Sequence, residues 1–110
     1  MAGRRVRHGE VWHFQFATPD KRRPVVVLTR DSVIPFLNTV MVAPVTTTVR
    51  GIPSEVVVGA NEGLDHTSAV NLDHVQTVAK TRLRDRKGRL SVEKMREVCR
   101  ALAIATGCEP

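Results

Sequence analysis

The aromatic residues at every second position of the stretch Glu10–Phe16 constrain the fold of this chain more than any other feature of the sequence. Trp12, Phe14 and Phe16 occupy every second position of the stretch, which is the period of a half-buried β-strand. They are three of the four aromatic residues in the chain. We therefore expect a first strand here, with an aromatic face that anchors the hydrophobic core.

Further short apolar runs, rich in Val and Thr and separated by turn residues, predict a mainly β fold. The segments Gly51-Ile52-Pro53 and Asn61-Glu62-Gly63 are such turns. Pro24 opens the second strand, a position at which a missing N–H is tolerated. The predicted strands after the first are Pro24–Leu28, residues 39–49, Glu55–Val58, Ser68–Leu72 and Val75–Ala79.

Only the C-terminal segment has a helical pattern. Val92, Met95, Val98 and Leu102 recur at the spacing of one helix face. Ser91 can cap the N-terminus of this helix, and a glycine at position 107 can end it. The sequence thus predicts a strongly bent antiparallel sheet or barrel of five to seven strands, closed by one helix over residues 91–107.

Length and composition are those of one globular domain over residues 1–110, with residues 1–7 as a basic N-terminal tail. No apolar run approaches the roughly 18 residues that span a bilayer, and the N-terminus lacks the apolar stretch of a signal peptide. We therefore expect a cytoplasmic protein. Cys99 and Cys108 have no metal-ligand spacing and are expected to be reduced thiols.

The charge distribution indicates a polyanionic partner. Seventeen Lys and Arg against eleven Asp and Glu give a net charge of +6. From Lys80 to Arg89 there are six cations and a single anion, Asp85, and further basic groups lie at residues 4–7 and 21–23. Each cluster alone could be a solvated surface, but three in one small domain favour nucleic acid, an acidic protein or an anionic membrane as partner.

Several kinds of site are excluded by the residue pattern. The seven glycines are scattered, so the chain has no glycine-rich phosphate loop. The pairs Asp65-His66 and Asp73-His74 are adjacent residues, which rarely ligate one metal ion together. No serine lies in a nucleophile-elbow pattern. We expect neither a metal nor another cofactor.

Two predicted strands carry, at their ends, side chains that suit a phosphate. Arg23 is a permanent cation with a planar fork of donors, and Thr46 has a hydroxyl that can donate a hydrogen bond. If the two strands pair antiparallel, both side chains reach one rim, because neighbouring strands lie about 5 Å apart. Together they could stabilise the charge that develops in phosphoryl transfer, and the 2′-OH of RNA could itself be the nucleophile.

Each of these residues also has a plainer interpretation. Arg23 could be a solvated edge residue, and the run at residues 46–48 could be ordinary strand chemistry. Asp73 could stabilise a turn. His66 and His74 lie in polar, turn-like sequence that suits proton transfer, yet either could simply be exposed. The residues alone support a basic β-domain that binds nucleic acid.

The chain resembles the MazF/PemK family of endoribonuclease toxins from bacterial type II toxin–antitoxin modules. The resemblance covers about residues 8–107 and rests on short motifs in family order. These are Gly9-Glu10-Val11-Trp12, Arg23-Pro24-Val25-Val26-Val27-Leu28, Val42-Ala43-Pro44-Val45-Thr46, Ser68-Ala69-Val70-Asn71-Leu72-Asp73, Gln76-Thr77-Val78, Arg82-Leu83 and Gly88-Arg89-Leu90-Ser91, followed by the helix residues Met95, Val98, Ala101 and Leu102.

The resemblance implies an SH3-like barrel with a C-terminal helix, a homodimer, and metal-independent cleavage of single-stranded RNA that leaves a 2′,3′-cyclic phosphate and a 5′-OH. It implies catalytic roles for Arg23 and Thr46. It also implies a partner antitoxin whose acidic, disordered tail competes with RNA. Possible supporting residues are Asp73, Thr47, His66 and His74, and the expected RNA-binding residues are Lys21, Arg22, Lys80, Arg82, Arg84 and Arg86.

Three positions depart from the family pattern. His8 stands where many members have Arg, and Asn71 stands where some PemK-type members place a catalytic Arg. The loop over residues 17–22 is short and lacks the Gly-rich character common in the family. The RNA recognition sequence therefore cannot be carried over from a relative.

Two other functions are compatible with the same fold. A gyrase-inhibiting toxin of the CcdB type would need a Trp near the C-terminus, whereas the single Trp here is Trp12. A non-catalytic nucleic-acid-binding barrel would explain the charge, but not the pairing of Arg23 with Thr46. It predicts salt-sensitive binding without strand breaks.

Overall fold

The computed structural model describes residues 5–15 and 22–108, which form seven β-strands, one α-helix and four short 3-10 helices. This confirms the predicted fold class, a mainly β, barrel-like fold with a C-terminal helix. The strands and the helix are β1 (Glu10–Gln15), β2 (Arg22–Val27), β3 (Thr39–Thr46), β4 (Glu55–Val58), β5 (Ser68–Asn71), β6 (Gln76–Ala79), β7 (Leu83–Arg89) and α1 (Val92–Thr106).

All strand pairs are antiparallel, and the hydrogen-bonded order is β4-β5-β3-β2-β1-β7. The central strand β3 is shared between two halves of the sheet. Its first half pairs with β6, whereas its last two residues, Val45 and Thr46, pair with Val70 and Ala69 of β5. The partner of β3 thus changes along the strand, from β6 to β5.

Two hydrophobic clusters fill the fold, one on each face of the β1–β2 pair. Val11 and Val26 belong to the cluster beneath α1, together with Met95 of the helix. Trp12 and Val25 belong to the other cluster, on the face away from the helix. Because alternate residues of a strand point to opposite faces, the two strands bury both faces and fix the position of their ends.

The seventh strand is the element that the sequence analysis missed. Residues 83–89 were recognised as part of a charge cluster, but the structure pairs them with β1. Leu83 is the fully buried residue of the strand, and the other members are exposed or half-buried. The strand is held by its ladder to β1 rather than by an apolar face of its own, so it lacks the alternation by which strands are recognised.

The structure also differs from the prediction at the N-terminus and at strand ends. Val6, which was assigned to a basic tail, is buried in the cluster with Trp12. The second strand begins at Arg22, so Pro24 is its third residue. The third strand ends at Thr46 and not at residue 49. Phe16, expected in the first strand, lies outside the described residues.

The terminal helix forms as predicted. The Ser91 side chain accepts a hydrogen bond of 3.1 Å from the Lys94 N–H, which caps the first turn. Gly107 ends the helix with a φ of 74°, in the left-handed region that favours glycine. Cys99 and Cys108 are free and exposed.

Candidate active site

Arg23 and Thr46 lie at the point where β2 and β3 stop pairing. The last paired residues are Val25 of β2 and Pro44 of β3. Arg23 lies two residues before Val25 and Thr46 two residues after Pro44, so both lie just beyond the end of this ladder. The tertiary structure thus puts the two predicted catalytic residues at one rim of the sheet.

Two prolines explain why the ladder ends there. Pro24 precedes the last paired residue of β2, and Pro44 is the last paired residue of β3. Neither residue has an N–H to donate, so the β2–β3 ladder loses its donors at this point. Beyond it β3 turns away to pair with β5. Arg23 and Thr46 therefore lie where the two strands diverge.

The Thr46 hydroxyl is held by the backbone that follows it. Its Oγ1 accepts a hydrogen bond of 3.1 Å from the Thr48 N–H. A hydroxyl has one proton to donate besides its acceptor lone pairs. The turn therefore fixes the oxygen of Thr46 while its O–H stays available to donate to a substrate oxygen.

The Arg23 side chain is exposed and makes no ion pair or hydrogen bond with any residue that the structure describes. Its backbone is fixed, because Arg23 pairs with Phe14 in the β1–β2 ladder. The guanidinium thus extends from a fixed point of the sheet with its five donors unused, and these donors can bind an anion.

Two neighbouring arginines extend this positive rim. Arg22 forms an ion pair of 2.7 Å with Asp85, in which the two side chains are 50% and 67% exposed. Arg82 donates a hydrogen bond of 2.8 Å to the Gln15 carbonyl and lies 5.2 Å above the centre of the Phe14 ring. An exposed pair such as the first contributes at most about 1 kcal/mol, so a phosphate could replace Asp85 at small cost.

The other predicted RNA-binding residues are placed differently. The Lys80 ammonium donates to the Ile34 carbonyl at 2.9 Å, and Arg86 pairs with the buried Glu10 at 2.8 Å. Both cations are thus engaged within the fold. Arg84 is exposed on β7. The sixth residue of this set, Lys21, lies outside the described residues.

Asp73 and His74 lie on the side of the molecule that faces α1. They belong to a 3-10 helix that follows β5 and contacts α1. The Asp73 carboxylate accepts a 2.6 Å hydrogen bond from Ser54, and its N–H donates to the Asn71 side chain. Asp73 lies in the 3-10 helix that follows β5, whereas Ala69, the partner of Thr46, lies within that strand. The two hydrogen bonds give Asp73 a local structural role.

Thr47 and His66 lie closer to Thr46. Thr47 directly follows it, and the β3–β5 register continues toward Ser68 and the residues before it. Both Thr47 and His66 are exposed. They are the supporting candidates that share the rim with Thr46.

His13 is a titratable residue that the sequence analysis set aside as structural or exposed. It lies in the middle of β1, opposite Pro24. Burial lowers the pKa of its imidazole below the usual 6.5, and the nearby charges of Lys87 and Arg22 lower that pKa further. His13 is therefore mainly neutral at pH 7. The sequence could not reveal this, because Lys87 is 74 positions away.

Two of the departures from the family pattern have structural partners here. The His8 N–H donates to Asp31 at 2.8 Å, and its ring nitrogen lies 3.1 Å from the Leu28 carbonyl. The buried Asn71 side chain caps the 3-10 helix through its bond to Asp73. Both residues thus stabilise local backbone.

Within residues 5–15 and 22–108 there is no group of three His, Cys, Asp or Glu side chains that could hold a metal ion. In the same part of the chain, no helix is long and apolar enough to cross a bilayer.

Comparison with known proteins relates this fold and this rim to one family. The chain is 48% identical over 101 residues to the probable endoribonuclease MazF5 of Mycobacterium tuberculosis, which covers 91% of this chain and 92% of the relative. It is 40% identical over 104 residues to the probable endoribonuclease MazF2 of the same species, covering 94% of this chain and 100% of that protein.

Solved structures show the same architecture. The Mycobacterium tuberculosis toxin MazF-mt6 matches with a TM-score of 0.82 and 39% identity, over 89% of this chain and 96% of that one. An endoribonuclease in complex with its cognate antitoxin, from a mycobacterial species, matches with a TM-score of 0.87 and 27% identity, over 96% of this chain and 98% of that one.

The family described as PemK-like, MazF-like toxins of type II toxin–antitoxin systems matches residues 7–106, which include all seven strands and the helix. With this match and with relatives 48% and 40% identical over nearly their whole lengths, the chain belongs to the PemK/MazF toxin family.

Proposed function

We propose that this chain is the toxin of a bacterial toxin–antitoxin module and acts as a sequence-selective endoribonuclease of the mRNA interferase type. The names of its relatives, probable endoribonucleases, support the activity. The observation that carries the proposal is the rim where β2 and β3 diverge, which has an unpaired Arg23 side chain at the end of one strand and, at the end of the other, a Thr46 hydroxyl that is fixed by its own turn.

The proposed reaction is an internal transesterification of single-stranded RNA. The 2′-oxygen attacks the adjacent phosphorus and loses its proton, and a new P–O2′ bond forms while the P–O5′ bond breaks. The departing 5′-oxygen takes up a proton. The products are a 2′,3′-cyclic phosphate and a 5′-OH, and because the nucleophile belongs to the substrate, the enzyme has only to orient, stabilise charge and transfer protons.

In this mechanism Arg23 binds the non-bridging oxygens and stabilises the additional negative charge of the pentacovalent phosphorane. Thr46 donates its hydroxyl proton to one of the same oxygens and so orients the phosphate. Loss of one such donor typically costs about 2.7–4 kcal/mol of transition-state stabilisation, or roughly a hundred- to thousandfold in rate.

The RNA backbone would follow the arginines around the rim. Arg22 and Arg82 flank Arg23 on the neighbouring strand ends, and Arg84 adds an exposed charge on β7. Arg82 is held over Phe14, so its guanidinium can bind a phosphate without first being ordered. We assign smaller roles to Lys80 and Arg86, whose charges are engaged within the fold.

An antitoxin with an acidic segment is the expected protein partner, since it would compete with RNA for the same cations. One structural neighbour is an endoribonuclease bound to its cognate antitoxin, which supports this expectation. We further propose a homodimer that acts in the cytoplasm, where cellular RNA is its target.

The test is a cleavage assay of the purified protein on mixed-sequence RNA and on its DNA counterpart in EDTA, with end-group analysis. We expect cleavage of RNA only, with cyclic-phosphate ends, and a loss of at least about a hundredfold in Arg23→Ala. Asp73→Asn is the matched variant outside the rim, and it should retain most of the activity.

Cleavage of DNA, products with 5′-phosphate ends, or full activity in a folded Arg23→Ala variant would each contradict the proposed mechanism. Salt-dependent retention of intact RNA by the wild type would instead favour a non-catalytic binding barrel.

A further inference from the structure

A second candidate site lies at the turn between β2 and β3. The turn contains the 3-10 helix Ile34–Phe36, and the Phe36 side chain is 85% exposed, more than any other large hydrophobic residue that the structure describes. The neighbouring Leu37 is 41% exposed. A ring this exposed adds little to the core, so its surroundings decide what it can contact.

The backbone that carries Phe36 is held in place on both sides. Ile34 is buried in the cluster with Trp12, and the proline that follows Ile34 has a fixed φ. The Phe36 N–H donates to the Val33 carbonyl at 2.9 Å, and the Lys80 ammonium donates to the Ile34 carbonyl at 2.9 Å. Phe36 therefore projects from an ordered turn, and a ligand that contacts the ring does not first have to order the backbone.

Three cations line the cavity beside this turn. The cavity has a volume of about 360 Å³, and Arg5, Arg7 and Lys80 supply its positive charge. Within the described residues none of the three forms an ion pair. One carboxylate, Asp31, also lines the cavity and accepts a hydrogen bond of 2.8 Å from the His8 N–H. The cavity therefore keeps an excess of positive charge. We call this cavity and Phe36 together the turn site.

The combination of an exposed ring with unpaired cations identifies the class of ligand. Pro35 lines the cavity and Phe36 directly follows it, so the aromatic residue adjoins the cations. Proteins that bind single-stranded nucleic acid without reading its sequence combine these two parts, because cations hold the phosphates while bases stack on aromatic side chains. An acidic amphipathic peptide would instead need an apolar groove, whereas the aliphatic residues that line this cavity, Val6 and Ile34, are both buried.

We infer that the turn site binds a single-stranded segment of RNA outside the cut site, with one base stacked on Phe36 and the adjacent phosphates bound by the three cations. The inference deepens the proposed function and rests on it. The Lys80 ammonium uses one of its three donors on the turn, so the others can bind a phosphate.

The turn site and the rim lie at opposite ends of the β2–β3 pair. Arg23 lies near the start of β2 and Thr46 is the last residue of β3, whereas the turn joins the end of β2 to the start of β3. An RNA long enough to reach both sites gains affinity from the second without a second encounter from solution. The turn site thus favours long, unpaired RNA over short RNA, whatever the sequence of the flanking segment.

Substitutions at Phe36 test stacking separately from hydrophobicity. The ligand is a labelled 2′-deoxy oligonucleotide of about 16 nucleotides, within the range of site sizes for folds that bind single strands, and its affinity is measured by fluorescence anisotropy. We expect Phe36→Leu, which keeps an apolar side chain but removes the aromatic face, to bind it about tenfold more weakly than the wild type. Phe36→Tyr keeps the aromatic face and should stay within about twofold of the wild type.

The salt dependence of the same binding tests the cations. Arg7→Gln should lower the slope of log affinity against log salt concentration by about 0.7, the value for one phosphate contact to a single strand. Arg100→Gln, which removes an exposed charge of α1 that does not line the cavity, is the matched control and should leave the slope unchanged. In cleavage of a long RNA, Phe36→Leu should raise KM about tenfold and leave kcat unchanged, because the turn site lies away from the reacting phosphate.

The inference is overturned if Phe36→Leu binds the oligonucleotide as the wild type does, or if Phe36→Tyr loses as much affinity as Phe36→Leu. It is also overturned if sedimentation shows that Phe36→Leu changes the oligomeric state, which would make the turn a contact between copies of the chain. Binding of a Glu-rich peptide that depends on Phe36, in place of the oligonucleotide, would assign the site to an acidic protein and overturn it too. Failure of the wild type to cleave RNA would refute the proposed function, and it is a separate result because the 2′-deoxy ligand measures binding alone.

Discussion

Arg23 differs from Arg22, Arg82 and Arg86 because no residue that the structure describes occupies the donors of its side chain. Arg22 is paired with Asp85, and Arg86 is held by the buried Glu10. A guanidinium that is already paired must lose that partner before it binds a phosphate, whereas an unpaired one pays no such cost. At the scale of the residue, local pairing thus separates cations that suit catalysis from cations that stabilise the fold.

Two substitutions can separate the contribution of the Thr46 hydroxyl to cleavage from the contribution of the side chain's shape. Thr46→Val keeps the branched side chain but removes the donor, so we expect cleavage to fall by roughly a hundred- to thousandfold. Thr46→Ser keeps the hydroxyl and should stay within about tenfold of the wild type. The measurement is single-turnover cleavage of one RNA, and equal rates for the two variants would exclude a hydrogen-bonding role.

At the scale of the element, the turn before β5 is locked against β7 by two glycines. Gly63 has a φ of 90°, and a Cβ on it would overlap the Lys87 carbonyl oxygen. A Cβ on Gly88 would in turn overlap the carbonyl oxygen of Glu62. This close backbone approach secures β7, a strand with little apolar surface of its own, to the segment that leads toward the rim.

Substitution at two glycines with positive φ isolates the effect of this contact. Gly51→Ala, at a φ of 71° with nothing within 4 Å of the added Cβ, should cost about 1 kcal/mol of backbone strain. Gly63→Ala should cost about 2 kcal/mol more, because the backbones of the turn and β7 must move apart. Urea denaturation gives the free energy of unfolding of each variant. Equal losses for Gly51→Ala and Gly63→Ala would mean that the turn and β7 can move apart without loss of stability.

At the scale of the whole molecule, charges from different elements act on one group. His13 of β1 is surrounded by Lys87 of β7 and Arg22 of β2, with Asp85 and Asp65 acting in the opposite direction. Burial is the larger cause of its lowered pKa, and the two cations add to it. The folded state therefore takes up a proton at His13 less readily than the unfolded chain does.

This difference makes stability depend on pH in a defined direction. As the pH falls below the unfolded value of 6.5, the unfolded chain binds a proton at this position before the folded one does, so stability falls until the folded pKa is passed. His13→Gln should flatten the denaturation free energy across this window. An NMR titration that places the imidazole of His13 at or above 6.5 would contradict the prediction.

Because the net charge is +6, the affinity for RNA should fall as the salt concentration rises. For single strands, the logarithm of the affinity falls with the logarithm of salt concentration by about 0.7 per phosphate contact. We expect Arg84→Gln to reduce this slope by about that amount, measured with a 2′-deoxy analogue that cannot be cleaved. An unchanged slope would place Arg84 outside the RNA path, and Arg30→Gln is the control of equal charge.

Much of the fold was predictable from local patterns. The alternation around Trp12 and Phe14 predicted β1, the run Glu55–Val58 predicted β4 at its observed bounds, and Ser91 and Gly107 predicted the ends of α1. These features are local, because strand period and helix capping depend on residues only a few positions apart. The charge-rich β7 was missed because its strand structure depends on pairing with β1, which lies 69 to 79 positions away.

The sequence by itself determined the strand and helix segments, the positive charge, and the two residue types that suit a phosphate, since these follow from side-chain chemistry and short-range periodicity. Only the tertiary structure decided that Arg23 and Thr46 both lie beyond the prolines at which the β2–β3 ladder ends, that Asp73 lies toward α1, and which cations are already paired. Those facts depend on register and burial, which arise from contacts between residues far apart in the chain and leave no local pattern in the sequence.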